Sequence, residues 1–320
     1  MNIKYVFIVL GEPYSVFSEL IGKYIYKNKN FKKKIILLGN KKLIEKQLEK
    51  LKYKYTLNRI ENLSESKKNQ INIINIDFKF KKTFDKISSK SNKYIKESFI
   101  KFFKISKNEK NNFVLINGPV SKKTFLRKKY LGITEYLSKK TNSKNEVMLI
   151  YNDKLAVSPI TTHMPIKNVY KNISKKKIIN NVQKINNFYK KVLKINPKIA
   201  ILGLNPHCES VEKYSEEEKI IIPATNILKK RGFYIKGPYS ADTFFIKKNL
   251  DEFNIVIGMY HDQVLTPIKT LYNFNAINIT LGLPFIRLSP DHGPNYKMSG
   301  KNMSDPSSFF YAMKFAENIN

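Results

Sequence analysis

An α/β protein with a largely parallel sheet is what this sequence predicts, on three observations. Short apolar runs alternate with helical patterns along the chain. The runs are closed by glycine, proline, asparagine or aspartate, as buried strands are. Finally, 320 residues at 42% hydrophobic content can bury a sizeable core, which favours two lobes over one.

In order, Lys4–Leu10 reads as a first strand, turned by Gly11-Glu12-Pro13 into a helix over Ser15–Tyr26. Ile35–Leu38 is a second strand, ended by Gly39-Asn40, with a helix over Lys41–Leu51. Residues 52–80 are polar and poorly patterned, and Ile71–Ile76 is their best strand. Tyr94, Ile95, Phe99, Ile100, Phe102 and Phe103 lay out one face of a helix, and Phe113–Ile116 is a buried strand closed by Asn117-Gly118-Pro119. Helices open at Val120 and Gly132. Glu146–Tyr151 and Leu155–Ile160 form a hairpin around Asn152-Asp153. A long helix over Ser174–Leu193 precedes a strand at Lys198–Leu202 and a helix over Glu216–Lys230. Ser240 is placed as the N-cap of a further helix. Strands at Ile255–Met259 and Ala276–Leu281 and a helix over Pro306–Ala316 complete the chain.

Composition excludes several classes. No apolar run reaches the ~20 residues of a membrane span, and Tyr5–Leu10 is too short for a signal-peptide core. One cysteine rules out an intramolecular disulfide framework. A soluble cytoplasmic protein is expected. The net charge of +34 invites a nucleic-acid reading. However, the lysines are spread through the chain with asparagine and isoleucine, and all three have A/T-rich codons. Genome composition explains them more simply, so nucleic acid is not expected as a partner.

The stretch from Ile255 to Gly293 differs from the rest. His261, Asp262, Lys269, Asn278, Arg287, Asp291 and His292 gather there at the ends of apolar runs, where an α/β sheet builds its site. The chain has four histidines, and His163, His207 and His261 each follow a strand-like run. Imidazole suits a divalent transition metal. Their separation in sequence means that only the fold can unite them, and on spacing alone three unrelated loop histidines are the commoner case. Arg287 offers a planar fork for carboxylate or phosphate, and Lys269 a compact charge. Asn278 is a polar residue inside an apolar run. No GxGxxG fingerprint or P-loop is present, so any nucleotide must bind in another way.

INGPVSK (116–122), GITEYL (132–137), TTHMPIKNV (161–169), GLNPH (203–207), GPYSADTFF (237–245), MYHDQ (259–263) and NITLGLPFIRLSPDHG (278–293) resemble the 4-hydroxythreonine-4-phosphate dehydrogenase family of pyridoxal phosphate biosynthesis. The resemblance covers about residues 110–310. It implies a two-lobed α/β/α fold like that of isocitrate and isopropylmalate dehydrogenases, with the active site in the interlobe cleft. The nucleotide-binding lobe would be 1–130 plus 262–320, and the second lobe, with the dimer interface and metal ligands, 131–261. It also implies an obligate homodimer with shared active sites.

Carried over onto this sequence, the family's metal ligands fall on His163, His207 and His261, the last supplied by the neighbouring subunit. Zinc, magnesium, manganese and cobalt all stay open as the metal. Substrate contacts fall on Thr134, Lys269, Asn278 and Arg287. His292 and Gly293 start a loop resembling the adenosine-binding loop of the isopropylmalate dehydrogenase superfamily, which makes them the candidates for NAD or NADP. Asp242 and Asp262 are candidates for the general base or for orienting a histidine.

The implied reaction is oxidation of 4-(phosphooxy)-L-threonine to 2-amino-3-oxo-4-(phosphooxy)butanoate, followed by decarboxylation to 3-amino-2-oxopropyl phosphate. Two departures stand out. GITE carries Ile133 where the family has a substrate-contacting histidine, and losing a hydrogen bond to a charged group costs about 1.5–3 kcal/mol. GEPYSVFSE places Tyr14 and Phe17 where the family keeps its backbone close to the cleft. These departures keep two rivals open: a dehydrogenase for a phosphothreonate or phosphoerythronate, and a catalytically silent binding protein.

Overall fold

The computed structural model describes residues 2–109, 112–126, 129–208, 215–273, 275–290 and 293–319, the side chains of 247 and 248 excepted. The chain opens with β1 (Tyr5–Val9), α1 (Phe17–Lys27), β2 (Lys34–Gly39), α2 (Lys41–Lys50), β3 (Asn58–Arg59), β4 (Ile71–Asn75), α3 (Asn92–Ser106), β5 (Phe113–Asn117) and α4 (Ile133–Lys140). There follow β6 (Val147–Tyr151), β7 (Ala156–Thr161), α5 (Lys175–Phe188), β8 (Ile199–Leu202), α6 (Ile222–Lys230) and β9 (Ile235–Tyr239). Then come α7 (Ala241–Phe244), α8 (Lys247–Leu250), β10 (Ile255–Tyr260), α9 (His261–Tyr272), β11 (Ile277–Leu281), β12 (Ile286–Pro290) and α10 (Ser307–Asn318).

Two compact units result. The first is Met1–Ser143 with Leu283–Asn320, and the second is Lys144–Gly282. In the first, the strand order β3-β4-β2-β1-β5-β12 is parallel throughout. In the second, the order is β11-β6-β7-β10-β8-β9. There β6 is antiparallel to both neighbours, and β7, β10, β8 and β9 run parallel.

The unit boundaries differ from the sequence expectation by α4 at one crossing and by α9 and β11 at the other. Residues 131–143 belong to the first unit and 262–282 to the second. Packing explains this. Tyr136 and Leu137 of α4 are buried with Phe99, Phe102 and Phe113 of the first core, whereas Val264, Leu265 and Ile268 of α9 are buried with Val157, Ala200 and Val256 of the second. Each such side chain, fully buried, contributes roughly 1.5–3 kcal/mol, so neither helix can leave its own core.

The local signals act as chemistry dictates. β1 is YVFIV, β-branched and aromatic, and four of its five residues are buried. Asn40 caps α2 by accepting from the Leu43 N–H. β12, Ile286–Pro290, is a strand that the sequence pattern does not predict. Ser240 does hold the N-cap position of α7, but its hydroxyl donates to the Asp242 carboxylate and accepts from no helix N–H.

Two turns at the ends of β1 and β5 interlock. Gly11 has φ +71°, and a Cβ there would stand 2.5 Å from the Pro119 carbonyl oxygen. A Cβ on Gly118 would stand 2.3 Å from the Leu10 carbonyl oxygen. Neither position admits a side chain, because backbone faces it.

Tyr14 and Phe17 correct an expectation. Both are buried, at 7% and 1% exposure. Tyr14 meets Phe78 edge-on and Phe17 meets Phe309. Their bulk fills the core of the first unit and does not stand out from its surface. The same turn buries Glu12, at 1% exposure, against a cavity of about 20 Å³ lined in part by Ser15, Ser18, Gln47 and Tyr94. Neither Glu12 carboxylate oxygen has a hydrogen-bond partner among the described residues. Burial raises its pKa to about 7, offset slightly by the nearby Ser91 hydroxyl.

Candidate active site

The second unit gathers the histidines. β7, β10 and β8 are neighbours and parallel, so their C-terminal ends share one edge. His163 comes two residues after β7, His261 directly after β10, and His207 in the loop leaving β8. The topology thus brings residues 163, 207 and 261 to the edge where open α/β sheets bind ligands.

Within that edge the His163 and His261 rings adjoin, with centroids 5.5 Å apart. Two imidazoles sharing one cation through bonds of about 2.1 Å would have centroids roughly 5 Å apart, so this pair fits a common metal. The resemblance assigns His261 to a neighbouring subunit. In this chain, His163 and His261 already meet inside one unit.

His207 is not drawn into the pair. Its Nδ1 lies 3.7 Å from Asp242 Oδ2, its side chain is 71% exposed, and its backbone is left-handed at φ +57°. Among the described residues, no group of three or more His, Cys, Asp or Glu side chains is assembled for a metal. The donor set suits a divalent cation, and the structure converges two of its three rings.

Each candidate aspartate stands beside a histidine. His261 Nδ1 is 2.6 Å from Asp262 Oδ1, which leaves Nε2 to face a ligand. Asp242 holds His207 more loosely, and the Ser240 hydroxyl keeps its pKa below the usual carboxylate range, with His207 adding to the effect. Two residues that sequence reasoning missed tie the scaffold together. Gln263 accepts from the Met259 N–H and donates to the Gly203 carbonyl, linking the end of β10 to the exit of β8. Glu217, 1% exposed, accepts from the N–H groups of Leu204 and Asn205 and from the Asn205 amide. Gln263 lies in a stretch read for its histidine and Glu217 at the start of an expected helix, and nothing in the local sequence signals contacts spanning 60 and 12 residues.

Lys269 is exposed in the last turn of α9, and Asn278 is half-buried on β11 opposite Ile150. Both belong to the second unit.

Thr134 and Arg287 belong to the first unit. Arg287 is 1% exposed on β12, beside Leu115 of β5. Its Nε donates to Asn117 Oδ1 at 2.7 Å, and Nη1 donates to Thr134 Oγ1 at 3.3 Å. Burial lowers the guanidinium pKa to about 10, and Glu135 works against that shift. The group therefore stays charged at neutral pH. Thr134 sits in the first turn of α4, where unpaired N–H groups add positive potential. A buried cation, a hydroxyl and a helix N-terminus together favour an anion such as a phosphoryl group or carboxylate. Ile133, next in chain, packs partly against the first core and contributes no hydrogen-bonding group.

Of the nucleotide candidates, His292 lies outside the described residues, as does Asp291. Gly293 is exposed, and a Cβ there would meet no other described residue within 4 Å. The protein's own packing gives no steric reason for glycine at this position. The adjacent Pro294 carbonyl accepts from the Val16 N–H, anchoring the loop to the start of α1.

Known proteins resemble this chain over most of its length. The family model described as "Pyridoxal phosphate biosynthetic protein PdxA" matches residues 31–316. The chain is 37% identical over 316 residues to the 4-hydroxythreonine-4-phosphate dehydrogenase of Sulfurihydrogenibium sp. (strain YO3AOP1), covering 97% of this chain and 96% of that one. It is 34% identical over 188 residues to a D-threonate 4-phosphate dehydrogenase of Pectobacterium atrosepticum, covering 58% of each. The crystal structure of a 4-hydroxythreonine-4-phosphate dehydrogenase from Burkholderia phymatum superposes with a TM-score of 0.82 at 25% identity, over 99% of this chain and 98% of that one. Isocitrate dehydrogenase from Methylococcus capsulatus is similar in fold alone, with a TM-score of 0.50 at 8% identity over 98% of this chain and 84% of that one.

Proposed function

This chain belongs to the PdxA family and is a dehydrogenase of pyridoxal phosphate biosynthesis, and we propose that its substrate is 4-(phosphooxy)-L-threonine. In this reading NAD (or NADP) would supply the hydride acceptor for oxidation of the secondary alcohol, whose hydroxyl proton passes to a general base, and the 3-oxo acid then loses carbon dioxide to give 3-amino-2-oxopropyl phosphate. The observation that carries the reading is the fully buried, charged Arg287 held against Thr134, an anion site built into the core.

Arg287 and Thr134 hold an anionic group of the substrate, with Lys269 and Asn278 as further contacts, and so aim the carbinol carbon. His163, His207 and His261 would hold a divalent cation, which would supply Lewis-acid polarisation at the substrate hydroxyl. Asp262 fixes the His261 ring through Nδ1, and Asp242 does the same, more loosely, for His207. An aspartate whose pKa is lowered is a weak base, so orienting His207 suits Asp242 better than taking the alcohol proton. Gly293 and His292 begin the loop assigned to the nucleotide. The enzyme acts in the cytoplasm as a homodimer.

The test is NADH formation from phosphothreonine with zinc, magnesium, manganese or cobalt supplied, comparing wild type with His207→Ala. Turnover that requires metal and falls by two orders of magnitude or more in the variant is expected, as for loss of a ligand. Unchanged turnover in the variant would overturn the metal assignment.

Ile133 favours a second reading, a dehydrogenase for phosphothreonate or phosphoerythronate. Such substrates carry a hydroxyl where phosphothreonine has its amino group, and a site with Ile133 has one fewer polar contact with which to tell them apart. Kinetics with all three acids decide: a higher kcat/KM for a phosphorylated acid lacking the amine replaces the first reading.

A further inference from the structure

The Arg287 fork has a neighbour to which no role has been given above, Asn117. It is the last residue of β5, 3% exposed. Its Nδ2 donates to the Gly118 carbonyl at 3.0 Å, while its Oδ1 accepts from Arg287 Nε at 2.7 Å. The two bonds fix each other: a flipped amide would set donor against donor at Arg287 and acceptor against acceptor at Gly118. The amide therefore has one orientation, and it holds the buried guanidinium from one side.

We propose that Asn117 is a positioning residue for anion recognition, an inference that rests on the reading of Arg287 and Thr134 as the holders of the substrate's anionic group, here taken to be its phosphoryl group. Two consequences of the geometry carry it. First, with Nε committed to Asn117, the planar guanidinium cannot rotate, and Nη1 is kept on Thr134 Oγ1. That bond occupies the acceptor side of the Thr134 hydroxyl, so its one hydrogen points away from Arg287 and toward an incoming oxygen. Second, Asn117 is a neutral acceptor. It satisfies the buried N–H without adding negative charge beside the guanidinium. An aspartate at the same place would make a stronger bond to Arg287 and would neutralise it. Packing needs and ligand binding thus make opposite demands on residue 117.

That opposition gives the test. In Asn117→Asp, the melting temperature should stay at or above that of wild type. Binding of inorganic phosphate by calorimetry should weaken about tenfold to a hundredfold, with KM for the phosphorylated substrate rising in parallel and kcat changing much less. Asn117→Thr, which keeps a neutral acceptor, should recover most of the phosphate affinity. Arg287→Met serves as the control. If it abolishes phosphate binding while Asn117→Asp binds as wild type does, the role of Asn117 is overturned and the anchor stands. If Arg287→Met binds phosphate normally, the anchor reading falls and this inference with it.

Discussion

The Arg287 cluster of the first unit and the histidines of the second are built in opposite ways. Arg287 and Asn117 are buried and bonded to each other before any ligand arrives. By contrast, His163 and His207 are exposed, His261 is half-buried, and only two of the three rings adjoin. A buried guanidinium cannot wait for its ligand to satisfy it, because an unpaired charge in the core costs several kcal/mol. Exposed imidazoles have water as a partner and can wait. The proposed anion site is therefore preorganised by folding, and the proposed histidine site would be finished by what binds there.

The largest expected effect would break this contrast on the buried side. Arg287→Met should lower kcat/KM by roughly a thousandfold, since truncating one partner of a buried charged contact costs about 2–5 kcal/mol. Arg287→Lys should recover little, because an ammonium cannot engage Asn117 and Thr134 in one plane. Steady-state kinetics check both; near-normal activity in the lysine variant would mean that charge alone suffices.

Glu12 probes how much misfit the first core tolerates. Its pKa is raised by burial to about 7 in the folded chain, against an ordinary value of 4.5. The folded state therefore favours the protonated form. Stability is fully present below about pH 4.5 and falls as pH rises through 7, by about 3 kcal/mol in all. Urea unfolding at pH 4.5 and pH 8 should show that loss in wild type and not in Glu12→Gln. Equal pH slopes in the two proteins would show that water reaches the carboxylate.

On the exposed side, effects should be smaller and confined to the ligand. Asp262→Asn should weaken cobalt or zinc binding about tenfold to a hundredfold, with the melting temperature of the metal-free protein unchanged. A drop in that temperature would mean that the His261–Asp262 pair is part of the fold. Smallest of all, Ile133→His should cost roughly 1 kcal/mol of stability by withdrawing an alkyl group from the core edge. It should also raise kcat/KM for phosphothreonine relative to phosphothreonate, and an unchanged ratio would remove Ile133 from the question of specificity.

How much of this was legible in the sequence follows the same division. Strand ends were readable, because an apolar run closed by a turn residue is a local pattern. Residues 163, 207 and 261 were therefore found at the edge they occupy. What sits beside those ends was not readable. Arg287 and Asn117 are 170 residues apart, and only the pairing of β12 with β5 brings them together. Asn117 did carry a signal, as a polar residue ending an apolar run, the same rule that drew notice to Asn278. Tyr14 and Phe17 were misjudged because sequence shows the size of a side chain but not the direction in which it leaves the turn. The unit boundaries slipped because α4 and α9 are assigned by which core covers their apolar faces, a tertiary fact.

The interlocked turns at Gly11 and Gly118 have a consequence for how this chain can change. Lysine, asparagine and isoleucine dominate it, and all three draw on A/T-rich codons, whereas every glycine codon begins with two guanines. Each of its 12 glycines stands against that compositional pressure. At Gly11 and Gly118 the obstacle to replacement is backbone on the opposing turn, at 2.5 and 2.3 Å, which no repacking of a side chain can relieve. A substitution at either would require the other loop to move, and one of those loops carries Glu12 while the other begins at Asn117. Drift in base composition can rewrite the surface of this protein almost freely. At this pair it meets a steric limit, and the anion site lies directly behind it in the chain.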